Sequence, residues 1–229
     1  MAKRNRRTSA PIPEPTARGA SAHNRTWLAS TVAAAIILVL AAALRLIGLD
    51  SDLWLDELWS RRVAIGMRSV WSAFTLHHEV NHHLTTVWVY LMGPEGTAVQ
   101  YRLPSFVCGV ASVAVAGLIG RRRGRATAAI AMLLTAVSYE LVLFSTEARG
   151  YSAAVLCALL VFLFLERQMD RPSWRNGLAY AVTATIGLVT QPVFSSIVAS
   201  ACLWSIYRWV RSSPRLGRPC SCSVHKCFR

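Results

Sequence analysis

Charge is scarce in this chain, and negative charge is scarcest. Only 16% of the 229 residues are charged, and 11 Asp+Glu face 25 Lys+Arg, giving a formal net charge of +14. Lysine is nearly missing, with Lys3 and Lys226 the only two. So little charge, beside 54% hydrophobic residues and a mean hydropathy of +0.38, excludes an ordinary soluble domain and predicts several membrane spans. The six cysteines lack the spacing of a disulfide framework. Cys108, Cys157 and Cys202 lie in apolar runs, while Cys220, Cys222 and Cys227 crowd the C-terminal end. The basic excess suits either nucleic acid or an anionic membrane surface, but the arginines sit at the ends of apolar segments. That placement favours membrane topology and argues against nucleic acid. The excess of Arg and Ala reads as a GC-rich bacterial genome, which makes the expected location the bacterial plasma membrane.

Six segments read as crossings: 27–47, 103–120, 126–144, 151–165, 178–190 and 193–210. The fourth and fifth are short for a hydrocarbon core of ~30 Å, so their ends must extend into flanking polar residues. The positive-inside rule sets the orientation. With the N-terminus cytoplasmic, the basic residues before position 26, the Arg121–Arg125 cluster, Arg167, Arg171, Arg175 and the basic residues from Arg208 onward all fall inside. These are nineteen of the 25. The acids Asp50, Asp52, Asp56, Glu57, Glu79, Glu95 and Glu147 fall outside. The apolar stretch 84–92 is too short to cross and ends at Gly93-Pro94, so it is expected to lie as an interfacial helix on the outer surface. The outer loop 48–101 is then about fifty residues long and partly helical, and a loop of that length is more often functional than merely connecting. Gln191-Pro192 interrupts an apolar stretch and is expected to make a tight outer turn.

The expected organisation is an all-α, multi-pass membrane protein in three parts. Residues 1–26 form a disordered basic cytoplasmic tail, 27–210 a membrane domain, and 211–229 an irregular cytoplasmic tail. The change of character at 215–229, to Arg, Pro, Cys and Ser, reads as a frameshift or truncation.

Two neighbouring acids carry the strongest chemical signal. Asp56 and Glu57 stand among tryptophans in Leu53-Trp54-Leu55-Asp56-Glu57-Leu58-Trp59, just past the first span. Ionisable groups at membrane depth are functional candidates by default, and a surface carboxylate can take a proton from an attacking hydroxyl. Glu147-Ala148-Arg149-Gly150-Tyr151 lies at the same outer end, where Arg149 can clamp a phosphate oxygen and Glu147 can orient it or bind a metal. Arg102, in Arg102-Leu103-Pro104-Ser105, is either a headgroup anchor or a phosphate ligand, and Pro104 suits the first turn of a helix. The loop also contains a literal His78-Glu79-x-x-His82. On one helix face these histidines suit zinc, with Glu79 as base, but a third ligand is required and no later segment supplies a convincing one. Cys220, Cys222, His225 and Cys227 are too cramped to make a zinc site.

Taken in order, Leu53-Trp54-Leu55-Asp56-Glu57, Asn81-His82-His83-Leu84, Tyr101-Arg102-Leu103-Pro104-Ser105, the Arg121–Arg125 cluster and Thr146-Glu147-Ala148-Arg149-Gly150-Tyr151 resemble the N-terminal portion of GT-C-fold membrane glycosyltransferases. They are similar to the protein O-mannosyltransferase and aminoarabinose transferase branches. The resemblance implies an outward-facing site that uses a polyprenyl-phosphate-linked sugar and a glycan, lipid or protein acceptor. It implies Asp56 as base, with Glu57 its motif neighbour. Glu147, Arg149 and Tyr151 become donor-side residues, joined by Arg102 and His82 as substrate contacts. No cofactor is assigned, and a divalent metal is left open. The alternatives are a zinc-dependent membrane peptidase built on His78 and His82, and an inactive membrane fragment.

Overall fold

The computed structural model describes residues 17–75 and 82–212. Every regular element among them is helical: α1 (Ala17–Leu46), α2 (Leu55–Gly66), α3 (Ser72–Thr75), α4 (His83–Met92), α5 (Ala98–Arg121), α6 (Arg125–Val137), α7 (Tyr139–Ser145), α8 (Tyr151–Asp170), α9 (Trp174–Thr190) and α10 (Ser195–Ser212). The protein is an all-α polytopic membrane protein. Four helices are each long and apolar enough to cross a bilayer, and α6 with α7 makes a fifth span if the bent pair is taken together. The segment expected as the fifth crossing is a 17-residue helix, α9, shorter than the ~20 residues a span needs.

The first span shows how the sequence selects its surroundings. Between Trp27 and Ile47 there is neither Gly nor Pro, so nothing interrupts the helix. Leu28, Val32, Ile36 and Val39 are at least half exposed along one stripe, a surface that only lipid tolerates. The opposite stripe, Ala34, Leu38 and Ala41, packs on Val113 of α5 with Met132 and Ala136 of α6. Small residues there let the helix axes approach closely, as membrane helix packing requires.

Helix α5 runs through the centre of the bundle. Its start is set by a capping box: Thr97 Oγ1 accepts from the Gln100 N–H, and Gln100 Oε1 accepts from the Thr97 N–H. The helix therefore begins at Ala98, five residues before the crossing expected from position 103, and Pro104 is an interior residue rather than a first-turn one. Lacking an N–H, Pro104 leaves the Gln100 carbonyl without its helical donor. The indole Nε1 of Trp88 in α4 supplies that bond at 2.9 Å. The proline thus becomes a docking point for α4.

The span 126–144 is broken. Ser138 is extended, and α6 and α7 meet at 61°. The break frees the last carbonyls of α6, and a buried arginine takes them. Arg45, fully buried on α1, donates to Ala136 O at 3.2 Å and Thr135 O at 3.4 Å, to Ala41 O at 3.0 Å and to Ser145 Oγ at 3.1 Å. A cation there meets the negative end of a helix dipole. Gly109 of α5 makes the room, since a Cβ at that position would lie 2.0 Å from Ser145 Oγ and 2.9 Å from Arg45 Nε.

The stretch between α1 and α5 is helical in part. Helix α4 has ten residues, so it is about 15 Å long and too short to cross. It packs on α2 and α5 through Ala64, Val89, Tyr101 and Ala148. Helix α9 stops at Thr190, Gln191 is extended as the residue before a proline should be, and a 3-10 turn over Pro192–Phe194 leads into α10.

Candidate functional site

The site forms where three chain segments meet at one end of the bundle: the stretch from Gly48 into α2, the start of α5, and the α7–α8 loop. Its centre is a buried ion pair. Glu57 sits at the third position of α2 and accepts from the Trp54 N–H at 2.8 Å, one half of a capping box. Its Oε1 also accepts from Arg102 Nε at 2.9 Å and from the Ala148 N–H, and its Oε2 from Arg102 Nη2 at 2.6 Å. Each carboxylate oxygen therefore holds one guanidinium nitrogen and one backbone amide. Arg102 is fully buried, and its remaining N–H groups go to the carbonyls of Gly48, Leu49, Ser51 and Asp52 and to Ser51 Oγ. All five guanidinium N–H bonds end on the protein. Arg102 ties the loop after α1 to the start of α2.

Asp56, the neighbour of Glu57, has the opposite surroundings. Its side chain is 46% exposed and accepts from Arg149 Nη2. Lying in the first turn of α2, it benefits from the positive end of that helix. Arg149 is the hub of the outer part. Its guanidinium pairs with Asp56, lies 5.8 Å from the Tyr151 ring centroid, and holds Nη1 3.2 Å from Glu147 Oε2 without hydrogen-bond alignment. Burial pushes the Glu147 carboxyl above its ordinary range. The Glu57 carboxylate adds to that rise and Arg102 opposes it.

His82 and Tyr151 complete the cluster. The His82 ring meets the Tyr151 ring edge-on at 5.2 Å, and Tyr151 stacks on Phe144 at 5.0 Å. Burial lowers the His82 pKa, Gln191 beside it partly offsets this, and His83 adds to the lowering. Gly150 lets the loop approach: a Cβ there would come within 3.0 Å of Thr190 O and 3.2 Å of His82 Nδ1. Six buried side-chain polar atoms lack a hydrogen-bond partner among the described residues, and four of them belong to this cluster: His82 Nδ1, Glu147 Oε2, Arg149 Nε and Gln191 Oε1. Buried polar groups are normally satisfied, so the gathering of four such atoms makes this cluster the candidate site.

A profile of the dolichyl-phosphate-mannose-protein mannosyltransferase family matches residues 77–215, more than half of the chain. The chain belongs to that family. It is accordingly a membrane glycosyltransferase of the GT-C kind. No curated protein and no solved structure matches the chain. The mannosyltransferase match takes in His82, Arg102, Glu147, Arg149 and Tyr151 but begins after Asp56 and Glu57. It is the fold that brings those two acids against the matched residues.

The structure gathers Asp56, Glu57, Arg102, Glu147, Arg149, Tyr151 and His82 in one place. His78 and Glu79 lie outside the described residues, as do the C-terminal cysteines and His225. His82 is the N-cap residue of α4 with non-helical backbone angles. Among the described residues no three His, Cys, Asp or Glu side chains converge to hold a metal ion. Gln191 went unassigned in the sequence. Its signal was available: a lone amide within a long apolar stretch is a polar group at membrane depth.

Proposed function

We propose that this protein transfers a sugar from a polyprenyl-phosphate donor to a hydroxyl of a glycan, lipid or protein acceptor on the outer face of a bacterial plasma membrane, with its N-terminus in the cytoplasm. The observation that carries the reading is the division of labour between adjacent acids. Glu57 is saturated by four donors, two of them from Arg102 and two from backbone amides. Asp56 is half-exposed and held by one arginine, which leaves its other oxygen open.

In the proposed reaction the acceptor hydroxyl oxygen attacks the anomeric carbon of the donor, and its proton passes to Asp56. The bond from that carbon to the phosphate oxygen breaks, and the electron pair leaves with the polyprenyl phosphate. The phosphate is a good leaving group, so one base suffices where a glycoside hydrolase needs an acid as well. Arg149, with Nε unpartnered, is the cation placed to meet the departing charge. Glu147 and Tyr151 fix the guanidinium. Arg102 acts through Glu57 as a positioning residue.

The test uses the full chain in proteoliposomes with polyprenyl-phosphate mannose and reads release of polyprenyl phosphate. Asp56→Asn is expected to slow release by about 10²–10⁴-fold, the range of a general base. Turnover that survives this change removes Asp56 from the chemistry.

A further inference from the structure

The end of the bundle away from the site carries a second feature. Between α1, the last turns of α5 and the first turns of α6 lies an apolar groove of about 570 Å³. Its lining includes the small residues Ala34 of α1, Gly117 of α5 and Ala129 of α6, together with Leu38 and Met132. Its mouth is framed by Trp27, Arg121 and Arg125. The Arg121 guanidinium stands 5.5 Å from the Trp27 ring centroid. Nineteen residues of α5 separate Arg121 from Arg102, or about 28 Å along the helix, so groove and site face opposite leaflets.

The charges at this end are not alike. Arg122 pairs with Asp170 and Glu166, and Arg208 also faces Glu166. Arg121 and Arg125 have no carboxylate within ion-pair distance among the described residues, and both are exposed at the lip of an apolar channel. Two unneutralised guanidinium groups above a groove wide enough for a hydrocarbon chain complement one kind of partner. That partner carries a phosphate anion at one end and apolar chains at the other. Arginine forks suit phosphate oxygens, and basic pockets between membrane helices hold anionic headgroups. Trp27 opens the first apolar run, and tryptophan is enriched where membrane helices meet headgroups.

We infer that the α1–α5–α6 groove is a binding site for an anionic phospholipid, with its phosphate on Arg121 and Arg125 and one acyl chain along Ala34 and Gly117. The site is separate from the sugar-transfer centre and stands whether or not that reading does.

The test is native mass spectrometry of the full chain released from nanodiscs of equal phosphatidylglycerol and phosphatidylcholine. Phosphatidylglycerol is expected to be retained at least tenfold over phosphatidylcholine. An R121Q/R125Q variant should lose that preference. Ala129→Phe, which fills the groove and leaves both arginines, should lose bound lipid of either kind. Circular dichroism confirms that each variant is helical, and Arg121→Lys/Arg125→Lys, which keeps the charge, supplies a folded reference if the glutamine variant unfolds. Equal retention of the two lipids by the wild type would overturn the proposal. So would full phosphatidylglycerol retention in either the glutamine or the phenylalanine variant.

Discussion

Replacing Glu57 with glutamine should unfold the outer end of this protein rather than merely slow it. The change keeps size and shape but converts one acceptor oxygen into an amide donor. Whichever way the amide turns, its NH2 faces one backbone N–H and one guanidinium nitrogen, because each carboxylate oxygen now holds one of each. Arg102 is left as a fully buried cation with only neutral partners, the chain carbonyls and the Ser51 hydroxyl. Removing one member of a buried ion pair costs about 3–5 kcal/mol, because the other charge stays behind uncompensated. Asp56→Asn, one residue away, removes a half-exposed pair whose contribution to stability is about 0.2–1 kcal/mol. Thermal unfolding of the two variants in the same detergent compares them directly. A cycle with Arg102→Met and the double variant then isolates the pair, and truncating Arg102 should cost less by about 2 kcal/mol or more once Glu57 is gone. An E57Q melting point within error of that of D56N, or a cycle with no coupling, would refute the structural role given to Glu57.

Other outcomes follow from the same geometry. Arg149→Lys keeps the charge but not the fork that reaches both Asp56 and Glu147, so transfer should fall by at least tenfold while the melting point barely moves. The His82 pKa is lowered in the folded protein, so its contribution to stability is present above about pH 6.5 and is lost as pH falls through the depressed value. Melting temperatures at pH 7.5 and 5.5 should therefore diverge more in the wild type than in His82→Gln. Gly109→Ala places a methyl group against Ser145 and Arg45 and should destabilise by about 1–3 kcal/mol, whereas Gly66→Ala, with open space around it, should not. That comparison is read from melting curves of the two variants.

Much of the fold was legible because membrane spans are written in composition. The uninterrupted apolar run of α1 and the short helix at 83–92 both follow from length and the absence of breakers. What the sequence could not show is where a helix yields to tertiary demand. Pro104 looked like a helix start, yet the Thr97–Gln100 capping box begins α5 earlier and Trp88 satisfies the carbonyl the proline abandons. Ser138 breaks a span whose composition is continuous, and the break is supported by Arg45 from ninety positions away. At the site, the motif brought Asp56 and Glu57 forward together, and adjacency in sequence gave no means of separating them. Successive residues of a helix point about 100° apart, so one turned inward to Arg102 and the other outward to Arg149. Gln191 carries a turn signal in the sequence because it precedes Pro192, and only the fold sets it beside His82.

The arrangement also explains why two arginines of one surface have different chemistry. Both start from the same intrinsic group, and both contact an acid of the same pair. Arg102 lies on a central helix where no water reaches it, so every N–H must end on protein, and five chain carbonyls and hydroxyls are bent toward it. That constraint fixes the path of the chain from Gly48 to Asp52 and, through Glu57, the pose of α2. Arg149 lies on a loop, partly exposed, with one nitrogen unsatisfied. A group so held can exchange a protein contact for a ligand oxygen at little cost, whereas Arg102 can do so only by releasing a segment of backbone. Rigidity in the buried pair and latitude in the outer one are complementary requirements of the proposed transfer, in which Asp56 is held toward the acceptor by a neighbour that is not free to move.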